Sequence, residues 1–356
     1  MNKKGFVSVL IVAAVFLIGT ILGFIVFKKP NQATPQNNPS PTPVAASDEI
    51  PNPNIQASAG SKIQNAIVPD SKNSINIVFT GSGGAGHDGG NLTDSITLAN
   101  VNYQTRVVKL IAIPRDLWVS GEKINLVYSK DGRNQFKYLV GQITGINVNY
   151  LINIDFGNFI KVVDALDGVD INVPITWNDY FYPVKGKENE LCGISPEQNA
   201  EINRKYSGFE LEKQYTCRYE HLHFEKGRMH LDGETAIKYI RSRHSSEYGS
   251  DFARGERSQE VLLGISKKII EKSILDPNNS TLKKFTSSVA TDIKLASLPD
   301  SLKLLGDLSS YKTVRVNLTD KNVLVSGTSP AGAYILIPKT GSENFEDVRS
   351  FIQNPK

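Results

Sequence analysis

Ile75-Asn-Ile-Val-Phe-Thr80, Ser95-Ile-Thr-Leu-Ala-Asn-Val101 and Arg106-Val-Val-Lys-Leu-Ile-Ala-Ile113 decide how this chain folds. All three are short and rich in β-branched residues, as strands are, and only Asn102-Tyr-Gln-Thr105 separates the second from the third, a connection of hairpin length. Antiparallel pairing around that turn sets the start of one strand beside the end of the next. Asp94 and the Arg115-Asp116 pair then lie at one end of the sheet. The Gly-rich loop 81–90 feeds into Asp94 and belongs to the same end.

Farther along, Phe156, Phe159, Ile160, Val163 and Leu166 recur at helical spacing, and residues 168–174 alternate like a strand. Gly233–Ile240 predicts a short helix. A longer one runs from about Phe252 to Ser273, with Val261, Leu262, Ile265 and Ile269 on one side. A helix is expected over Thr281–Val289, strands at Asn322–Val325 and Ala333–Ile337, and a terminal helix at Phe345–Ile352. Residues 178–223 read as a polar, aromatic and irregular excursion. Interleaved strands and helices predict a layered α/β or α+β domain.

The 356-residue chain has 40 basic and 36 acidic side chains and is 40% hydrophobic. That suffices for one large domain or two small ones and excludes wholesale disorder. The net charge of +4 sits at one end: Lys3, Lys4, Lys28 and Lys29 flank the apolar run Phe6–Phe27, and without them 36 basic residues face 36 acidic ones. A balanced domain gives no electrostatic case for a nucleic-acid partner, and no helix-turn-helix pattern stands out.

Phe6–Phe27 carries no charge and is long enough to cross a hydrocarbon core of roughly 30 Å. It ends at Lys28-Lys29-Pro30 rather than at a small-residue cleavage site, so residues 1–29 read as a cytoplasmic stub and an uncleaved transmembrane anchor. Residues 30–73 hold eight of the 17 prolines and few apolar side chains, as expected of a disordered tether. Residues 74–356 then form the folded domain. Cys192 and Cys217 lack CxxC spacing and read as one disulfide in an oxidising compartment, two unpaired buried thiols being the alternative. Lys on both sides of the anchor leaves its orientation open, while the tether and the cysteine pair favour a domain outside the cell.

Six glycines in ten residues follow the first strand, where backbone amides can cradle an anion; a lid or a plain turn fits equally. No Gly-Lys-Ser/Thr ending makes this a P-loop. Asp94 and Asp116 offer hard oxygens suited to Mg²⁺ or to activating a hydroxyl, and each could instead be a cap or turn residue. Arg241, Arg243, Arg254 and Arg257 fall within 17 residues. The first two share a side only in extended chain, which the turn-rich stretch Ser242–Ser250 allows. The second two lie three apart above Val261 and Ile265, facing a pocket mouth, where forked guanidinium groups suit an oxyanion. Surface salt bridges with Glu247, Asp251 and Glu256 are the alternative, with Asp251 as a helix cap or a partner of Arg254. His221 and His223 lack a third metal ligand and read as surface histidines. Neither a Gly-x-Ser-x-Gly elbow nor a His-Glu-x-x-His motif occurs.

Taken in order, Leu92-Thr-Asp94-Ser-Ile-Thr-Leu98, Ile111-Ala-Ile-Pro-Arg115-Asp116-Leu-Trp-Val119, Lys123-Ile-Asn125, Asp155-Phe156 and Val163-Asp-Ala-Leu-Asp-Gly-Val-Asp170 resemble the LytR-CpsA-Psr family of membrane-anchored cell-envelope enzymes. Leu231-Asp-Gly-Glu-Thr-Ala-Ile-Lys-Tyr-Ile-Arg241-Ser-Arg243 and Asp251-Phe-Ala-Arg254-Gly-Glu-Arg257 complete the set. The resemblance implies an α-β-α sandwich with a mixed sheet and a hydrophobic cavity for a prenyl chain. It also implies transfer of a glycan from a polyprenyl-pyrophosphate carrier to a peptidoglycan hydroxyl, forming a phosphodiester. By motif match Asp94 is the metal-linked carboxylate, and Arg115, Arg241, Arg243 and Arg254 bind pyrophosphate. Arg257 shares their motif and is counted with them as a pyrophosphate ligand, and Asp116 either orients Arg115 or assists at the metal. The family's usual Arg, acid and Gln are replaced here by Leu92, Ser82 and Ser258, with His87 or Asp88 as nearby substitutes for the acid.

The expectation is therefore a Mg²⁺-dependent glycopolymer phosphotransferase, single-pass in the cell membrane with its C-terminal domain extracytoplasmic. The alternatives are a non-catalytic lipid-pyrophosphate-binding or envelope-regulatory module, and a hydrolase that passes the phosphoryl group to water.

Overall fold

The computed structural model describes residues 73–84, 89–272, 288–293, 304–306 and 310–355. The expected anchor, almost all of the tether, His87, Asp88 and most of the helix expected at Thr281–Val289 lie outside them. Among the described residues no helix is long and apolar enough to cross a membrane.

The chain opens with β1 (Ser74–Ser82), β2 (Thr93–Asn102), β3 (Val107–Ala112), and the two-residue arms β4 (Trp118–Val119) and β5 (Glu122–Lys123). Next come α1 (Ile124–Thr144), β6 (Tyr150–Asp155), α2 (Phe156–Ala165), β7 (Val169–Val173) and β8 (Trp177–Pro183). Then follow α3 (Pro196–Lys205), α4 (Gly208–Glu212), β9 (Tyr219–Phe224), β10 (Gly227–Leu231), α5 (Gly233–Arg241) and α6 (Asp251–Glu271). The described elements end with β11 (Ala290–Thr291), β12 (Lys312–Asn317), β13 (Leu324–Thr328), β14 (Tyr334–Pro338) and α7 (Glu346–Gln353).

Six strands form one mixed sheet in the order β11-β6-β1-β2-β3-β12. β1, β2 and β3 are antiparallel in turn, while β6 runs parallel to β1 and β12 parallel to β3. The expected hairpin is present, with Asn102 opposite Val107. Asn102 Oδ1 closes the turn by accepting from the amides of Gln104 and Thr105 at 3.1 and 2.8 Å, a local bond that favours Asn in turns.

Neighbouring residues on each central strand serve opposite cores. Val78, Leu98 and Ile111 pack with Phe136, Leu139, Val140 and Ile143 of α1 and with Val348 and Ile352 of α7. Ile77, Ala99 and Leu110 pack on the other face with Leu262 and Leu263 of α6. Burial on both faces explains the apolar stretch Ile77-Val-Phe79 of β1 and makes the domain an α-β-α sandwich. The sequence reading passed over α1. Its interior Gly132 leaves helical geometry (φ 82°, ψ 179°), and its first half is largely polar, so the apolar period shows only from Phe136 onward.

A further core joins α2, α5 and α6 to β7–β10, with Trp177 and Phe224 stacked at 4.6 Å. Here the excursion at 178–223 differs from its irregular reading. It starts and ends as paired strands, β8 and β9, and carries two helices between them. Buried Asp179 interrupts the inward row on β8, and inward Leu222 is flanked by His221 and His223 on β9, so hydrophobic alternation is weak in the sequence. The disulfide Cys192–Cys217 forms as read and closes the loop that holds both helices. His221 and His223 are exposed on β9, each in contact with Asn178 Oδ1.

Gly233 lets α5 approach α2. A Cβ there would stand 2.4 Å from the Ile160 carbonyl oxygen and 2.8 Å from its Cα. Gly233→Ala should therefore destabilise the fold by about 1–3 kcal/mol through overpacking, read as a lowered Tm in thermal unfolding. An unchanged Tm would mean that the two helices separate at no cost.

Candidate active site

The ends of the sheet strands build the site. β2 begins beside Asp94, β3 leads through Pro114 to Arg115 and Asp116, and α6 starts at Asp251 with Arg254 one turn on. Arg115 Nη1 donates to Asp94 Oδ1 at 2.8 Å, so the hairpin does bring these residues together. Arg115 Nε, buried without a hydrogen-bond partner, lies 3.4 Å from Asp116 Oδ2 and 3.9 Å from Asp251 Oδ2. Asp116 also accepts from Lys123 Nζ at 2.5 Å. The two oxygens of Asp116 are thus turned to Lys123 and Arg115.

Asp251 is the hub. Its Oδ1 lies 3.2 Å from Arg254 and 3.6 Å from Arg243. Ser250, not Asp251, caps α6, its Oγ accepting from the Ala253 amide at 3.1 Å. Burial alone would raise the Asp251 pKa, but Arg254, Arg243 and Arg115 outweigh it and hold the carboxyl down at about 2. Burial would likewise lower Arg115, and Asp251, Asp94 and Asp116 together push it above the ordinary arginine value. Arg254, the most enclosed of the group, is lowered by burial despite Asp251.

Arg241 and Arg243 part ways where α5 unwinds at Ser242. Arg243 reaches Asp251, while the Arg241 guanidinium lies over the Phe156 ring at 4.4 Å with the Tyr182 hydroxyl 3.5 Å away. Phe156, Ile237 and Ile240 line an apolar cavity of about 100 Å³ between the sheet and helices α2, α5 and α6. Ser95 and Ser258, hydrogen-bonded at 3.1 Å, line both this cavity and the cleft holding Asp94, Arg115 and Arg254. Arg115 thus lines the cleft, while Arg241 lies over Phe156, a ring of the adjoining apolar cavity.

Arg257 differs from its reading as a pyrophosphate ligand. It is fully buried, and its guanidinium donates to the backbone carbonyls of Tyr248 and Ser242. Burial pushes its pKa down to about 10, so it stays charged at neutral pH. Asp179, absent from the sequence reading, meets the same loop from the opposite side. Its Oδ2 accepts from Ser242 Oγ at 2.5 Å and from the amides of Arg243 and His244 at 3.1 Å each. Arg257 and Asp179 therefore position the loop that carries Arg243. Only a lone acid among aromatics marked Asp179 in the sequence.

A divalent cation would find a sparse donor set. Among the described residues no three His, Cys, Asp or Glu side chains converge. Asp155, opposite Ser82 in the β1–β6 pairing, spends both oxygens on Asn158. Asp94 uses Oδ1 on Arg115, and its Oδ2 makes no described hydrogen bond. One carboxylate oxygen fits Mg²⁺ that keeps its waters and shares phosphate oxygens with a substrate, which is this ion's ordinary habit.

The chain matches the LytR_cpsA_psr family model over residues 44–344. It is 23% identical over 302 residues to the polyisoprenyl-teichoic acid–peptidoglycan teichoic acid transferase TagV of Bacillus subtilis, spanning 82% of this chain and 67% of that one. It is 24% identical over 305 residues to TagU of Bacillus mycoides, spanning 83% and 84%. In structure it is similar to B. subtilis TagV (TM-score 0.53, 23% identity, 80% and 97% of the two chains). It is also similar to TagT bound to LI-WTA (TM-score 0.52, 20% identity, 84% and 98%). These likenesses show a shared fold.

Because the folded pKa of Asp251 lies below the ordinary carboxyl value, its stabilisation is complete above about pH 4 and is lost as pH falls toward 2. Asp251→Asn should cost about 2 kcal/mol at pH 7, measured by urea unfolding, with the gap to wild type closing between pH 4 and 2. A gap independent of pH would contradict the ion-pair origin. Asp179→Asn should weaken pyrophosphate binding although Asp179 touches no ligand, because the Arg243 loop loses its anchor. Isothermal titration with a soluble prenyl-pyrophosphate analogue checks this, and unchanged affinity would exclude the positioning role.

Proposed function

The chain belongs to the LytR-CpsA-Psr family, and on that premise we propose that it moves a glycopolymer from a polyprenyl-pyrophosphate carrier to a peptidoglycan hydroxyl. The observation that carries this reading is the apolar cavity opening beside a buried arginine–carboxylate cluster. A lipid diphosphate has those two chemistries joined in one molecule. At about 100 Å³ the cavity takes only the head of a prenyl chain, so a longer chain would part α2 and α5 from the sheet.

In the proposed reaction the acceptor hydroxyl oxygen attacks the glycan-bearing phosphorus. A new P–O bond forms, the bond to the prenyl phosphate breaks, and the hydroxyl proton is released. Negative charge moves onto the departing prenyl monophosphate. Arg115, Arg241, Arg243 and Arg254 stabilise that charge, and the low-dielectric surroundings strengthen each interaction. Asp94, whose Oδ1 is taken by Arg115, would use Oδ2 to orient the acceptor hydroxyl or to hold Mg²⁺. When bound, Mg²⁺ would supply Lewis-acid neutralisation of the phosphate oxygens. The uncharged run Phe6–Phe27 supports a single-pass anchor in the cell membrane, and the Cys192–Cys217 disulfide supports an extracytoplasmic domain.

The test gives the full-length protein in detergent a prenyl-pyrophosphate glycan donor, peptidoglycan and Mg²⁺. Phosphodiester-linked product and prenyl monophosphate are expected. Arg241→Ala with Arg243→Ala should lower the rate by at least about 10²-fold, the usual cost of one lost oxyanion donor. Free glycan phosphate in place of linked product would identify a hydrolase. Saturable donor binding without turnover would identify a non-catalytic binding module.

A further inference from the structure

A second void reaches the arginine cluster from another edge. It is a groove of about 710 Å³, within the usual size range of ligand clefts, and it shares no lining residue with the apolar cavity. Pro114, Asp251, Phe252 and Thr319 line both the groove and the arginine cleft. A molecule lying in it would therefore end at the diphosphate site without crossing the lipid's path.

The far wall of the groove comes from the disulfide-closed excursion. Phe209 of α4 lies inside the Cys192–Cys217 loop, its ring 4.4 Å from His244 and edge-on to Phe181 at 5.1 Å. Phe209 and His244 offer an aromatic surface at this wall, and the rest of the groove mixes apolar side chains such as Phe252, Tyr334 and Leu336 with serines and charged groups. A pyranose ring has the matching chemistry, with apolar C–H faces and a rim of hydroxyls. The charge of the groove selects further. Asp116 and Asp251 face the cations of the cluster, and beyond them Glu247, Glu256 and Asp320 line the groove against Lys321, a balance that suits neutral sugars better than a polyanionic polymer.

Resting on the transferase reading above, we infer that this groove is the acceptor subsite, holding a peptidoglycan glycan strand with one sugar stacked on Phe209 and His244. The excursion is then a specificity element. Asp179 couples it to catalysis, because the β8 strand that bears Asp179 also carries Phe181 against the Phe209 ring.

Binding of a soluble peptidoglycan glycan oligomer to the full-length protein tests the assignment without requiring turnover. Phe209→Ala should weaken oligomer binding about tenfold, or about 1.4 kcal/mol, leave affinity for the prenyl-pyrophosphate donor unchanged, and be rescued by Phe209→Tyr. Should Phe209→Ala fail to fold, Ser246→Trp narrows the same groove from an exposed position and should block the oligomer alone. Wild-type protein that does not bind the oligomer, or variants that lose donor affinity instead, would overturn the assignment. Oligomer binding that depends on Phe209 in a protein showing no transfer would keep the subsite and reject the transferase.

Discussion

Three guanidinium groups gathered out of bulk water would drive one another apart without a shared counter-ion, and Asp251 supplies it. Its carboxylate faces Arg115, Arg243 and Arg254, which arrive from three separate segments of the chain. Removing one partner from such a buried set leaves charge uncompensated, which usually costs more than the net worth of the intact set. The cluster holds its cations near one another before any substrate arrives, the condition under which electrostatic stabilisation needs no reorganisation.

This ion cluster sits at a seam. On one side is the apolar cavity between the sheet and α2, α5 and α6; on another is the larger groove of mixed lining, walled by the disulfide-closed excursion. The seam lies off the carboxyl ends of the parallel strands β1 and β6, where open α/β sheets commonly bind ligands. Loops leaving those ends can diverge from one another, and the gap between them becomes the site. Arg257 and Asp179 show what holding such a gap requires. Each is buried, each hydrogen-bonds to backbone within residues 240–248, and the first belongs to the family motif without facing the cleft.

The departures at Ser82 and Leu92 take on physical content here. Ser82 is buried at the end of β1 opposite Asp155, whose oxygens cap α2. No second carboxylate therefore joins Asp94 on that side among the described residues, and the charge neutralisation of a diphosphate rests more heavily on arginine. Arginine suits the task, since its planar fork stays protonated under burial that would neutralise lysine.

Short-range order was legible from residues alone. The hairpin at Asn102–Thr105, the helices starting near Phe156, Gly233 and Asp251, and the meeting of Asp94 with Arg115 follow from spacing, turn chemistry and chain connectivity, whereas Cys192 and Cys217 could be a disulfide or two thiols until the fold brought them together. Sequence spacing also singled out the arginines, because charged groups above an apolar helical stripe must lie near the rim of a core. It could not say which of them faces solvent. Arg254 and Arg257 lie three residues apart on one helix, yet one meets Asp251 and the other turns to the carbonyls of Tyr248 and Ser242. That choice was made by Trp177 of β8, whose ring lies against the Arg257 guanidinium, and by the loop after α5, whose carbonyls occupy its donors. Asp179, the Asp251 hub and the separation of cavity from groove belong to the tertiary structure for the same reason. Each depends on segments tens of residues apart coming within 4 Å, where a carboxylate's partners are set by packing and not by its neighbours along the chain.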